Sequence, residues 1–286
     1  MRVGLILGGG GEVGIAWEIG VLAGLEKEAG FSAKACEVIA GTSAGAIVGA
    51  YVAWGHSVIE LAALDRAGKG VRIGAGFGGR AEAMPIIPQE IIAALMSTEG
   101  TLEQRGASLG RLALQAKVAL DETTFIRGFR TMVGTDEWPR VDFRPTAVNA
   151  ETGATVLWDR DSGIGLDAAV ASSCSVPGVF PPVGFRGHHY IDVPRRPFGG
   201  DLIESKSLDA IVFVGLILPI LANNNEQKTE LEKAAGGRLR TATVTGGPLV
   251  ASVSDDLLDH SARVRAVQVG LEDGQQAAAA VKALLR

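Results

Sequence analysis

Val38-Ile39-Ala40-Gly41-Thr42-Ser43-Ala44-Gly45 is an apolar, strand-like run that breaks on Gly-x-Ser-x-Gly and continues into Ala46 to Ala53, a stretch with helical character. A serine on a sharp strand-to-helix turn is a nucleophile elbow. Gly41 and Gly45 flank it because a side chain at either flank would collide with the neighbouring backbone. The helix that starts there aims its unpaired N–H groups and the positive end of its dipole at Ser43, which favours an alkoxide-like nucleophile and the oxyanion formed on attack. Five residues of pattern can arise by chance, so the strand before and the helix after are what give the motif its meaning.

Upstream, Arg2 to Leu7 reads as a buried strand followed by Gly8-Gly9-Gly10-Gly11-Glu12-Val13-Gly14, and Ile15 to Glu28 has helical spacing at Ile15, Ile19, Leu22 and Leu25. Consecutive glycines leave backbone N–H groups uncovered, so a negatively charged oxygen can approach them closely. Two readings compete. Gly9-x-Gly11-x-x-Gly14 fits a dinucleotide fingerprint, but that motif needs an acidic residue ending the second strand, and Glu37 precedes its strand instead. The other reading is an oxyanion hole, with Gly9, Gly10, Gly11 and Gly14 forming a loop that serves the intermediate at Ser43. Both loops then sit at the C-terminal ends of neighbouring parallel strands, where open α/β sheets place their sites. No cofactor and no metal are expected.

With these two loops the sequence resembles the patatin-like phospholipase family. Ala168 to Val183 (AAVASSCSVPGVFPPV) looks like that family's Ser/Pro-rich block, and Tyr190-Ile191-Asp192 looks like the strand end bearing its catalytic aspartate. The resemblance implies a three-layer α/β/α fold with a central, mostly parallel sheet, and a Ser43–Asp192 dyad without histidine. It also implies one domain over residues 1–286, with the motifs in 3–203 and residues 204–286 completing the sheet and outer helices. Two departures stand out. Val13 occupies the place where such families carry Arg or Lys, and Val193-Pro194 replaces the glycines expected after the aspartate. Pro194 fixes its own φ and biases Val193 toward an extended conformation, which puts the presentation of Asp192 in question. Asp201, after Gly199-Gly200, is the alternative base.

The chemistry implied is attack of Ser43 on an acyl ester carbonyl, transfer of its proton to Asp192, and release of the acyl group by water. An unperturbed aspartate has a pKa of about 3.9, so it is ionised at neutral pH but a weak base beside histidine. Much of the rate then falls to the oxyanion hole, where one lost donor typically costs on the order of 100-fold. A Ser-His-Asp hydrolase would look to His260, late in the chain. His56 lies at the end of the elbow helix, and the adjacent His188 and His189 are expected on opposite faces of a strand, where they do not easily share one site. Transfer to a nucleophile other than water, as in an acyltransferase, and thioester cleavage use the same groups. A member that binds acyl chains without turnover is the reading from a different class, carried by Val13 and Val193-Pro194.

Alternating strand-like and helix-like segments, with the buried run Ile211 to Leu218, suggest a mainly parallel sheet between helices. The net charge of −5 argues against nucleic acid and against adsorption to anionic membranes by bulk charge. The expected partner is a lipid or other acyl ester, with transient membrane contact at most. Met1 to Leu7 is too short for a signal peptide, and the apolar run Ile211 to Ala222, with Gly215 and Pro219 inside, is short of a bilayer span, so a cytoplasmic protein is expected. Cys36 and Cys174 match no metal or redox spacing and read as free buried thiols. Ala67 to Arg80 reads as a flexible connector or a lid rim, and Gln89 to Met96 and Leu109 to Leu120 as helices that form core or cap the serine.

Overall fold

A computed structural model describes residues 1–73, 87–97, 99–192, 199, 201–202, 207–217, 222–234, 239–246, 253 and 256–286. Val193-Pro194, residues 74–80 and Gly247-Pro248 lie outside this set. In chain order the first elements are β1 (Val3–Leu7), α1 (Gly11–Ala29), β2 (Val38–Gly41), α2 (Ala44–Ala53), α3 (Val58–Arg66), α4 (Gln89–Met96), α5 (Leu102–Gln115) and α6 (Glu122–Val133). They are followed by β3 (Asp142–Asn149), β4 (Thr155–Leu157), α7 (Leu166–Ser173), β5 (Val183–Phe185), β6 (His188–Ile191), β7 (Ala210–Val214), α8 (Ala222–Ala234), β8 (Arg240–Val244) and α9 (Arg263–Leu284). The fold is mixed α/β, with a central, mostly parallel sheet and helices around it, as the sequence predicts.

Two compact units are present. The first holds Met1–Val71, Pro139–Phe143 and Pro197–Arg286. Its strands run β2-β1-β7-β8, all parallel, and one row of the register joins Gly41, Leu7, Val214 and Val244. That row is the C-terminal edge of the sheet, from which the Gly-rich loop and the serine turn both leave. β1 and β7 are covered on both faces, which explains why Leu5-Ile6-Leu7 and Ala210 to Val214 are apolar without alternation.

α1 is buried along most of its length; it begins four residues before the expected Ile15 and takes Gly11 and Gly14 into its first turn. Its long partner is α9. Four glycines make that contact possible: Gly20 and Gly24 on α1 face the backbone of Val267 and Leu271, while Gly270 and Gly274 on α9 face the backbone of Trp17 and Val21. A Cβ at any of them would overlap the opposing main chain, so the helices touch backbone to backbone. Trp17 Nε1 donates to Asp273 (2.8 Å) at the edge of this seam.

The second unit holds Arg72–Trp138 and Arg144–Arg196. Its strand pairs, β3 with β4, β3 with β6 and β5 with β6, are antiparallel. Ile91 of α4 and Leu109 and Ala113 of α5 pack on Val148, Ala150 and Ile191, so the inner faces of these helices form core. Ile92, Met96 and Leu114 remain exposed. α5 starts at Leu102 rather than Leu109 because Thr101 and Gln104 form a capping box, and it ends at Gln115 rather than Leu120. His188 and His189 do share a partner, contrary to the expectation from strand alternation. Glu151, at the tip of the β3–β4 hairpin, offers one carboxylate oxygen to each ring, at 3.8 Å and 2.8 Å. Among the described residues no helix is long and apolar enough to cross a membrane.

Candidate active site

Ser43 is the residue before α2, with φ 54° and ψ −115°. An L residue with φ near +54° is strained by roughly 1–3 kcal/mol, and such strain at a strand-to-helix turn presents the side chain outward. The two flanking glycines are dictated by packing. A Cβ on Gly41 would overlap the carbonyl of Gly45, and a Cβ on Gly45 would overlap that of Leu7. Backbone bonds fix the turn to β1: Thr42 N–H donates to Leu7 O (3.1 Å) and Gly45 N–H to Gly8 O (2.9 Å). The serine turn and the Gly-rich loop are therefore brought together.

Within that loop most amides are already used. Gly8 N–H donates to Val214 O (2.9 Å), Val13 N–H to Leu257 O (3.1 Å) and Gly14 N–H to Gly10 O (2.7 Å). Gly9 N–H is directed at Asn224 Oδ1 (3.4 Å), and Asn224 Nδ2 donates to the carbonyls of Gly9 (3.1 Å) and Leu216 (2.9 Å). Among the described residues the amides of Gly10 and Gly11 meet no acceptor. Gly11 has φ 60°, and a Cβ there would overlap the carbonyl of Leu257. The predicted set of Gly9, Gly10, Gly11 and Gly14 thus divides: Gly9 and Gly14 shape the loop with committed amides, and Gly10 and Gly11 keep theirs.

A family model described as patatin-like phospholipase matches residues 5–192. The chain belongs to this family. Among solved structures, VipD from Legionella pneumophila is similar at 15% identity and a TM-score of 0.47, over 98% of this chain and 67% of VipD. The type III effector protein ExoU is similar at 17% identity and a TM-score of 0.37, over 97% of this chain and 53% of ExoU. ExoU in the heterodimeric ExoU–SpcU complex from Pseudomonas aeruginosa gives 20% identity and the same TM-score of 0.37, over 96% of this chain and 52% of that one. This patatin-like chain spans about half the length of ExoU. No curated protein sequence matches it.

The sequence-predicted Asp192 and the Ser/Pro-rich block before it lie in the second unit. Asp192 follows β6 and is buried, and its N–H donates to Ser175 O (2.9 Å). The Ser/Pro-rich block builds the seat for it. α7 ends at Ser173, the chain turns through Val176 to Phe180, and Ser175 Oγ donates to Pro181 O (2.7 Å). Burial pushes the Cys174 thiol well above its usual range, and the nearby Asp192 charge pushes the same way. Cys36 is pushed up to about 12 by burial. Both cysteines are buried thiols outside any disulfide, as expected.

His260 lies in a single 3-10 turn before α9, with its Nδ1 3.5 Å from Glu12 Oε2. His56 stacks edge-on against Tyr51. Asp201 falls in the first unit. Among the described residues no cluster of His, Cys, Asp and Glu could hold a metal ion. Sequence reasoning missed Asn224, which sits in an unremarkable Asn-Asn-Asn run, and the Glu12–Arg263–Asp65 ion-pair group, whose members are up to 251 residues apart.

Proposed function

We propose that the protein is a serine acyl hydrolase that cleaves acyl esters of phospholipids or other lipids, with Ser43 as nucleophile and Asp192 as base. The observation that carries this reading is the strained serine at the head of α2, bonded through its turn to a loop with two amides that meet no acceptor among the described residues. Ser43 Oγ adds to the ester carbonyl carbon while Asp192 accepts the hydroxyl proton. The Gly10 and Gly11 amides hold the resulting oxyanion. The alcohol leaves with the proton from Asp192, and the acyl group stays on Ser43. Water then adds to the acyl-enzyme with Asp192 again as base, the carboxylic acid leaves, and Ser43 regains its proton. The substrate class is that of the patatin-like family.

Exposure to a fluorophosphonate followed by peptide mass analysis tests this without a substrate guess. One adduct on Ser43, absent in Ser43→Ala and at least about 100-fold slower in Asp192→Asn, is the expected result. Folded protein that takes no adduct would leave acyl-chain binding without turnover as the better reading.

A further inference from the structure

We propose that Arg263 is a positioning residue for the Gly-rich loop, holding it through Glu12 in the shape that leaves the Gly10 and Gly11 amides free. This rests on the acyl-hydrolase reading of the same loop. Glu12 is the residue immediately after Gly11, and its side chain points inward, 6% exposed. Arg263, the first residue of α9, is 3% exposed and places Nη1 2.7 Å from Glu12 Oε2, with the Glu12 carbonyl at 3.5 Å. The same guanidinium is anchored behind by Asp65 of α3. Nε donates to Oδ1 at 2.7 Å and Nη2 to Oδ2 at 2.9 Å. A two-pronged pair of this kind fixes the plane of the guanidinium, so its third nitrogen is presented to Glu12 along a set direction. Burial works against the charge on Arg263, but Asp65 and Glu12 outweigh it and hold the guanidinium protonated.

A second grip lies beside the first. Val13 N–H donates to Leu257 O, and that same carbonyl occupies the space a Cβ on Gly11 would need. The segment from Leu257 to Arg263 thus holds Glu12 by charge and the next residue, Val13, by backbone. Without Arg263 the buried Glu12 carboxylate would lose the guanidinium at 2.7 Å, with His260 Nδ1 still 3.5 Å from the same oxygen, an unfavourable change that moving the loop relieves. Val13 stands where the resemblance leads one to expect a cation, and the buried cation in contact with this loop comes from α9 instead. A cavity of about 140 Å³ adjoins the pair, lined by Asp65, Gly70, His260 and Arg263.

A plain structural staple would lower the melting temperature and leave the folded protein's reactivity alone. Amide hydrogen exchange over residues 8–18 and the rate of fluorophosphonate labelling of Ser43, both measured well below melting, separate the two. For Arg263→Met the expected results are exchange in the loop faster by about 10-fold or more and labelling slower by about 10- to 100-fold, as for loss of an oxyanion donor. The concentration of probe at half-maximal rate should not change. Glu12→Gln should move both rates in the same direction, and Arg263→Lys, which keeps the charge but not the fork, should recover part of the loss. Loop exchange and labelling equal to wild type in folded variants overturn the proposal. If Arg263→Met does not fold, Glu12→Gln and Arg263→Lys decide by the same two rates. If wild type takes no label at all, the hydrolase reading fails; loop exchange alone then upholds or overturns the positioning role.

Discussion

Ser43 holds a backbone conformation that an L residue adopts at a cost, and the cost is separable from its chemistry. At φ 54° and ψ −115° a glycine is unstrained, whereas alanine keeps the clash. Ser43→Gly should therefore be more stable than Ser43→Ala by about 1 kcal/mol in urea melts, while neither variant takes a fluorophosphonate label. Glu18 is the other residue with a distinctive energetic signature. It is 1% exposed, and among the described residues neither carboxylate oxygen has a hydrogen-bond partner. Burial raises its pKa well above 4.5, with the Gly8 amide opposing slightly, although that amide donates its own hydrogen bond to Val214. Because the folded state binds the proton more tightly than the unfolded one, the contribution of Glu18 is fully present below about pH 4.5. It is lost as pH rises toward the folded value, by about 1.4 kcal/mol per unit. Glu18→Gln has no proton to lose. Its stability relative to wild type should climb as pH rises above about 5, and a difference independent of pH would show that Glu18 is not buried as the neutral acid.

At the level of elements, the serine turn and the Gly-rich loop are legible in the sequence because their requirements are local. A Cβ at Gly41 or Gly45 would collide with backbone only a few residues away or on the adjacent strand, so the constraint leaves a fixed short spacing in the sequence. The seam between α1 and α9 obeys the same physics and is not legible. Gly20 and Gly24 repeat at a spacing of four, as do Gly270 and Gly274, but nothing in either helix names the other as its partner. Gly270→Ala puts a methyl group onto the carbonyl of Trp17 and should cost about 2–3 kcal/mol or more as the helices are forced apart. A mild change there would mean that the helices slide freely. The start of α5 departs from the expectation for a different reason. Thr101-x-x-Gln104 carries the signal, but the stretch from Leu102 to Ser108 is polar on most faces, and only the capping box shows that it is helical. Thr101→Ala should remove about 1 kcal/mol, read as an earlier thermal midpoint without loss of labelling at Ser43.

Over the whole chain, the residues matched by the family model and the residues that build the first unit are different sets. The match ends at Asp192, yet β1 is flanked on one side by β7, and α1 rests on α9. The Gly-rich loop itself is held from beyond that point by Val214, Asn224, Leu257 and Arg263. Motif spacing could not reveal these ties, because each joins a residue near position 10 to one more than 200 positions away. A chain cut after Asp192 would expose Leu5, Ile6 and Leu7 along an unpaired strand edge, together with the glycine-lined face of α1. Such a fragment should show no cooperative urea transition and no labelling at Ser43, and it should aggregate at concentrations where the full chain does not. A fragment of residues 1–192 that melts cooperatively and reacts at Ser43 would instead show that the motif region folds alone, with α9 acting only as a covering helix.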